Sequence, residues 1–160
     1  MRFSNDKTPY KSHFAASFAR TKPALRGGYY LHIKPNNRSF IAVGFWNPNK
    51  EDLLRIRKEL LVDAQEVRTI LKAKKLKQSW GEVKGEALTT APRGFDKIHP
   101  AIDLINLKQW TFTKNFTDKE ILQSDFAQNV NEHYQAIRPF FDYMSHILTT
   151  DLNGFSTLEN

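Results

Sequence analysis

Apolar and polar positions change period several times along the 160 residues, and each change marks an element. Between Tyr29 and Lys34 the chain alternates, with Tyr30 and His32 on one side and Leu31 and Ile33 on the other. Pro35-Asn36-Asn37 is a turn, and Ser39 to Phe45 is a second apolar strand, so 29–45 reads as a β-hairpin. Phe14 and Phe18 share one face of a strand over 12–18, together with Ser12 and Ala16. Trp110, Phe112 and Phe116 alternate with Thr111 and Thr113 and predict a further strand over 108–116.

Elsewhere the period is helical. Asn47-Pro48-Asn49 opens a helix on which Leu53, Ile56 and Leu60 recur. Asp63-Ala-Gln-Glu66 has the form of a capping box, predicting a second helix through Val67, Ile70 and Leu71, with Lys72 to Lys77 as its basic C-terminal tail. Residues 78–100, punctuated by Gly81, Gly85, Pro92, Gly94 and Pro100, read as one long structured loop, followed by a short helix at 101–106. Thr117-Asp-Lys-Glu120 is another capping box. Phe126, Val130, Tyr134 and Ile137 form an amphipathic stripe that Pro139 kinks or restarts, and Phe141, Met144 and Leu148 continue it. The pattern predicts a single α+β domain over 1–151. Its antiparallel sheet has about four strands, its helices pack on one side, and 152–160 form a frayed tail.

Composition narrows the classes. No cysteine is present, which excludes a disulfide scaffold, a thiolate nucleophile and any zinc site that needs Cys. No apolar run approaches the ~20 residues of a membrane span, and Met1 and Arg2 open a polar stretch, so a cytoplasmic protein without membrane contact is the expectation. The net charge of +7 is uneven. Residues 1–40 hold eight cations against Asp6 alone, whereas 117–160 hold two against seven acids. Either the basic front meets an anionic partner, or the two ends fold together and partly neutralise.

The densest polar cluster is Arg2-Phe-Ser4-Asn-Asp6-Lys7-Thr8-Pro-Tyr10-Lys11-Ser12-His13. Arg2, Lys7 and Lys11, on a loop stiffened by Pro9, are suited to present converging donors to a phosphate or carboxylate. Tyr10 and Asp6 are the candidates for positioning or transferring a proton there. The bland alternative has Asp6 capping a turn, Arg2 pairing with it, and the lysines solvated. Ala91-Pro-Arg93-Gly94-Phe95-Asp96 is a tight turn anchored by Phe95, and Arg93 and His99 are candidate additions to the anion site. The five histidines form no pair at helical ligand spacing; Asp142 and His146 stand four apart, more in keeping with a plain helix face than a metal site. No motif calls for a metal or a cofactor, and none fixes a reaction. Single-stranded nucleic acid is an alternative partner, because Tyr10, Tyr29, Tyr30 and Trp46 are interleaved with the basic residues.

The stretch Arg2 to Phe14 resembles the signature of the family known as domain of unknown function 2461, as do Gly28 to Ile33, Gly44 to Pro48, and Ala91 to Asp96 with His99-Pro100. The resemblance implies an α+β domain and no established activity. It adds weight to Arg2, Asp6, Lys7, Tyr10, Lys11, Arg93 and His99 without giving them roles. Members of that family usually carry several tens of further, largely helical residues ahead of the first motif, whereas this chain begins inside it. A sheet face left bare by such a shortening is expected to favour a homo-oligomer. A non-enzymatic, protein-interaction role for the same residues stays open beside the anion site.

Overall fold

The computed structural model describes residues 10–158. The strands are β1 (Phe14–Ala19), β2 (Gly28–Ile33), β3 (Ser39–Phe45) and β4 (Trp110–Phe116). They form one antiparallel sheet in the order β1-β2-β3-β4. The helices are α1 (Lys50–Val62), α2 (Gln65–Lys72), α3 (Lys74–Trp80), α4 (Ile102–Ile105), α5 (Asp118–Ile121), α6 (Phe126–Ala136) and α7 (Arg138–Thr149). This is the α+β arrangement that the alternation predicts.

Register decides which side chains enter the core. Val43 lies between Tyr29 and Phe112, and Phe45 opposite Trp110, so these positions share the helix-covered face. Ile41, Val43, Trp110, Phe112 and Phe116 are buried there. Phe140 and Phe141 of α7 complete the layer, meeting Phe112 and Phe45 edge-on at ring-centroid distances of 5.6 Å in both cases. Two asparagines close the β2–β3 hairpin. Asn36 and Asn37 both take positive φ, which asparagine tolerates. Their N–H groups donate to the two oxygens of Asp118, each at 2.9 Å. The front and back of the chain are thereby tied together.

Several boundaries differ from the sequence reading, each for a local reason. β1 begins at Phe14, two residues after the pattern starts. Asp63 does not cap α2; its carboxylate accepts from Gln65 N–H in a two-residue turn, and Ala64 occupies the cap position. Lys72 to Lys77 is not a tail, because α3 starts at Lys74 to bury Leu76 and Trp80. The indole N–H of Trp80 donates to His133 C=O at 2.9 Å. The long C-terminal stripe divides at Ile137, and Pro139 sits in the first turn of α7, where its missing N–H costs nothing. The Thr117 capping box forms as expected. Past α7, Thr157 N–H donates to Thr149 C=O, turning residues 150–158 back on the helix.

Gly44 is where the β3–β4 packing is tightest. Its φ is +141°, and a Cβ there would lie 2.1 Å from the Trp110 carbonyl oxygen. Gly44→Ala is therefore expected to destabilise the fold by about 2 kcal/mol or more. Gly94→Ala, also at positive φ but with open space around it, is expected to cost about 1 kcal/mol. Urea denaturation of the two variants checks the ranking.

Candidate functional site

Among the described residues, helices cover one face of the sheet only. On the opposite, outer face the register sets Ala15, His32, Phe40 and Asn115 in one cross-strand row, and Ser17, Tyr30, Ala42 and Thr113 in the next. The rings meet. His13 stacks on His32 at 4.5 Å, His32 on Phe40 at 4.9 Å, and Tyr30 lies 5.7 Å from Phe40. The Tyr30 hydroxyl stands 3.2 Å from His32 Nδ1.

Beside this aromatic patch the floor drops to small residues. Ala19, Gly28 and Ala42 lie between Tyr30 and Phe40 on one side and Trp46 on the other, enclosing an open hollow of about 680 Å³. Gly28 is required for that shape, since a Cβ there would lie 2.8 Å from the Trp46 ring. Trp46 is 39% exposed, whereas Trp80 and Trp110 are buried. Ser17 and Thr113 supply hydroxyls to the hollow.

The cations of the basic front are divided between the helices and the sheet ends. Among residues 10–38 there are six cations and no acid. Arg20 reaches Asp142 on α7 at 2.5 Å, and Arg26 pairs with Asp52, so part of the basic front is neutralised by the rest of the fold. Lys11, Lys22 and Lys34 make no ion pair among the described residues. Lys11 and Lys34 border one hollow of about 460 Å³ at the end of β1 and β2. His32 registers its surroundings: partial burial first, then His13 and Lys34, hold its imidazolium below the ordinary 6.5.

The residues singled out from the sequence divide into three groups. Arg2, Asp6 and Lys7 lie outside the described residues. Tyr10 (83% exposed) and the exposed Lys11 lead into β1. Arg93 and His99 sit in the loop that precedes β4, and Lys11 lies near Asp118 just after β4 ends. Neither Arg93 nor His99 lines the hollow that Lys11 borders. His99 has a local task, its Nδ1 accepting from Ala101 N–H at 3.2 Å ahead of α4. Asp96 accepts from Ile98 N–H within its own turn, and Arg93 is exposed. No group of three or more His, Asp or Glu forms a metal-ligand set among the described residues. No helix there is long and apolar enough to cross a membrane.

The sequence puts His13 at the end of the polar cluster, Lys34 among the cations of the basic front and His32 on a strand, and gives none of them, nor Phe40, a place on a common face. The alternation of Tyr30 with His32 was the available signal, but only the register adds His13 and Phe40 to that face.

The profile of a family described as conserved hypothetical protein (DUF2461) matches residues 1–143. The chain belongs to that family. No curated protein and no solved structure matches it. The DUF2461 profile spans the whole sheet and ends within α7, so the outer face and its aromatic residues fall inside the matched region.

Two histidines make stability pH-dependent. His133, against Trp80 and Phe116, is held below 6.5 by burial first and then by Lys114, with Glu132 opposing. With both folded-state values depressed, the unfolded chain binds more protons as pH falls below about 6.5. Stability is complete above that point and declines beneath it. The urea midpoint is expected to be lower at about pH 5 than at about pH 8. In His13→Ala, the His32 resonance followed by NMR is expected to titrate higher than in the parent.

Proposed function

We propose that the domain is a binding module for nucleotide units, taking a flat base on the outer sheet face and the attached phosphate on the lysines beside it. The observation that carries this reading is the pairing of a contiguous aromatic patch with a ring-sized hollow on a face that no described helix covers. Base–aromatic stacking tolerates any base, because every base offers a π-face. Small residues beneath and Trp46 opposite leave room for a ring to enter edge-first. Ser17, Tyr30 and Thr113 offer hydrogen-bonding groups to the base edge. Lys11 and Lys34 lie at one end of the platform, suited to a phosphate. Lys7 and Arg2, at most nine residues before Lys11 in the chain, extend that basic stretch in sequence.

This reading joins the anion site expected on the basic front with the nucleic-acid alternative. It assigns no reaction: Tyr10 and Asp6 remain candidates for proton transfer only if a ligand is shown to react. Arg93 and His99 stand apart from it.

Trp46 is a built-in reporter, since the other two indoles are buried. Titration with single-stranded DNA or RNA is expected to change tryptophan fluorescence, and Trp46→Phe to remove most of that change. Phe40→Ala is expected to weaken binding by about 5- to 100-fold, the loss of one stacking platform. Lys34→Ala is expected to weaken all sequences alike and to lower the salt dependence by about one phosphate contact. Arms with mononucleotide and with inorganic phosphate separate a nucleotide pocket from a strand-binding track and from a plain anion site. Unchanged fluorescence in every arm, with no salt-sensitive retention of single strands, contradicts the reading.

A further inference from the structure

β1 pairs with β2 alone, so its other edge is bare among the described residues. Natural edge strands are commonly guarded by lysine, proline, a bulge or a covering element. Here the strand reads Phe-Ala-Ala-Ser-Phe-Ala, with no charge and no proline. Its helix-side face also lacks cover: Phe14 is 82% exposed and Phe18 55% exposed.

The hydrogen-bond phase shows which groups face outward. Arg20 N–H donates to Gly27 C=O, continuing the β1–β2 ladder. Counting back by twos, Phe18, Ala16 and Phe14 turn their N–H groups toward β2. Ala15, Ser17 and Ala19 therefore present theirs to the bare edge.

We propose that two copies of the chain pair antiparallel through β1, about a two-fold axis at Ala16, to form one eight-stranded sheet. In this register Ala15 bonds to Ser17 of the second copy through the outward-facing groups, and Ala16 meets its own copy. Phe14 then stands opposite Phe18 of the second copy on the helix side, twice per dimer, at non-hydrogen-bonded positions where side chains come closest. Shifting the axis to Ser17 also matches the outward groups, but it sets Phe18 against Ala16 and Phe14 against Arg20. The aromatic pairing selects the first register.

The area fits a weak, concentration-dependent dimer. Four phenylalanines at these exposures offer roughly 500 Å² of apolar surface, taking about 200 Å² for each side chain. That is nearly half of the about 1,200 Å² at which specific interfaces begin, and the strand backbones add to it. Leu122, 83% exposed, borders the same hollow as Phe14 and extends the patch. A two-fold axis perpendicular to the sheet leaves both outer faces on one side, so the two aromatic platforms join into a single longer track.

Because the chain has no cysteine, Ala16→Cys tests the register directly. At a non-hydrogen-bonded pair the two Cα atoms stand about 4.5 Å apart, within disulfide reach. Mild oxidation is expected to cross-link Ala16→Cys and to leave Ala24→Cys, an exposed control beyond the strand, uncoupled. Sedimentation of the parent chain from micromolar to submillimolar concentration is expected to show a monomer–dimer equilibrium. Ser17→Pro removes only an edge-facing N–H and is expected to raise the dissociation constant about tenfold or more while leaving the fold intact. Phe14→Lys is expected to do the same by setting a charge against Phe18 of the second copy in place of an aromatic ring. A parent that stays monomeric throughout, or a dimer that cross-links equally at both cysteine positions, overturns the proposal.

Discussion

A β-sheet has two faces and two edges, and the described helices of this chain close only one of the faces. Every structural consequence follows from that shortage. β3 and β4 lie beneath the helices and hold the buried aromatic layer, with Phe112 and Phe45 meeting Phe140 and Phe141 edge-on. β2 is half-covered, and β1 is covered least, so Phe14 and Phe18 are largely exposed. The stability of the domain is concentrated on one side of β3.

The outer face is shaped by the same alternation that builds the core. Each residue sent inward places its neighbours outward, so a strand such as Gly-Tyr-Tyr-Leu-His-Ile puts rings on both sides. Inward, Tyr29 packs against Phe141. Outward, Tyr30 and His32 find Phe40 across the hairpin. The hairpin turn sets this match, and Asp118 fixes the turn by accepting from Asn36 and Asn37. A single carboxylate near the start of α5 thus holds the register on which the aromatic patch depends.

Much of the fold was legible because it rests on local periods. The hairpin, α1, β4 and the Thr117 box each carry a signal within a dozen residues. α3 was missed because its lysines disguise a four-residue spacing of Leu76 and Trp80, and burial of those two outweighs the basic tail around them. The site was less legible than the fold. His13 and Phe40 are 27 residues apart in sequence and meet His32 only through cross-strand register, which no single-strand pattern encodes. Arg93 and His99 sit in a dense motif of their own, and neither lines the hollow beside Lys11.

The central claim is that the uncovered face, with its rings and flanking lysines, is the working surface. Amide and side-chain chemical shifts, mapped by NMR while a pyrimidine mononucleotide is added, test it most directly. The account predicts perturbations confined to Tyr30, His32, Phe40, the Trp46 indole and their β1 neighbours, with α6 and α7 unmoved. Shifts that instead cluster around Arg93 and His99, or that spread over the helices while the outer face stays silent, would contradict it.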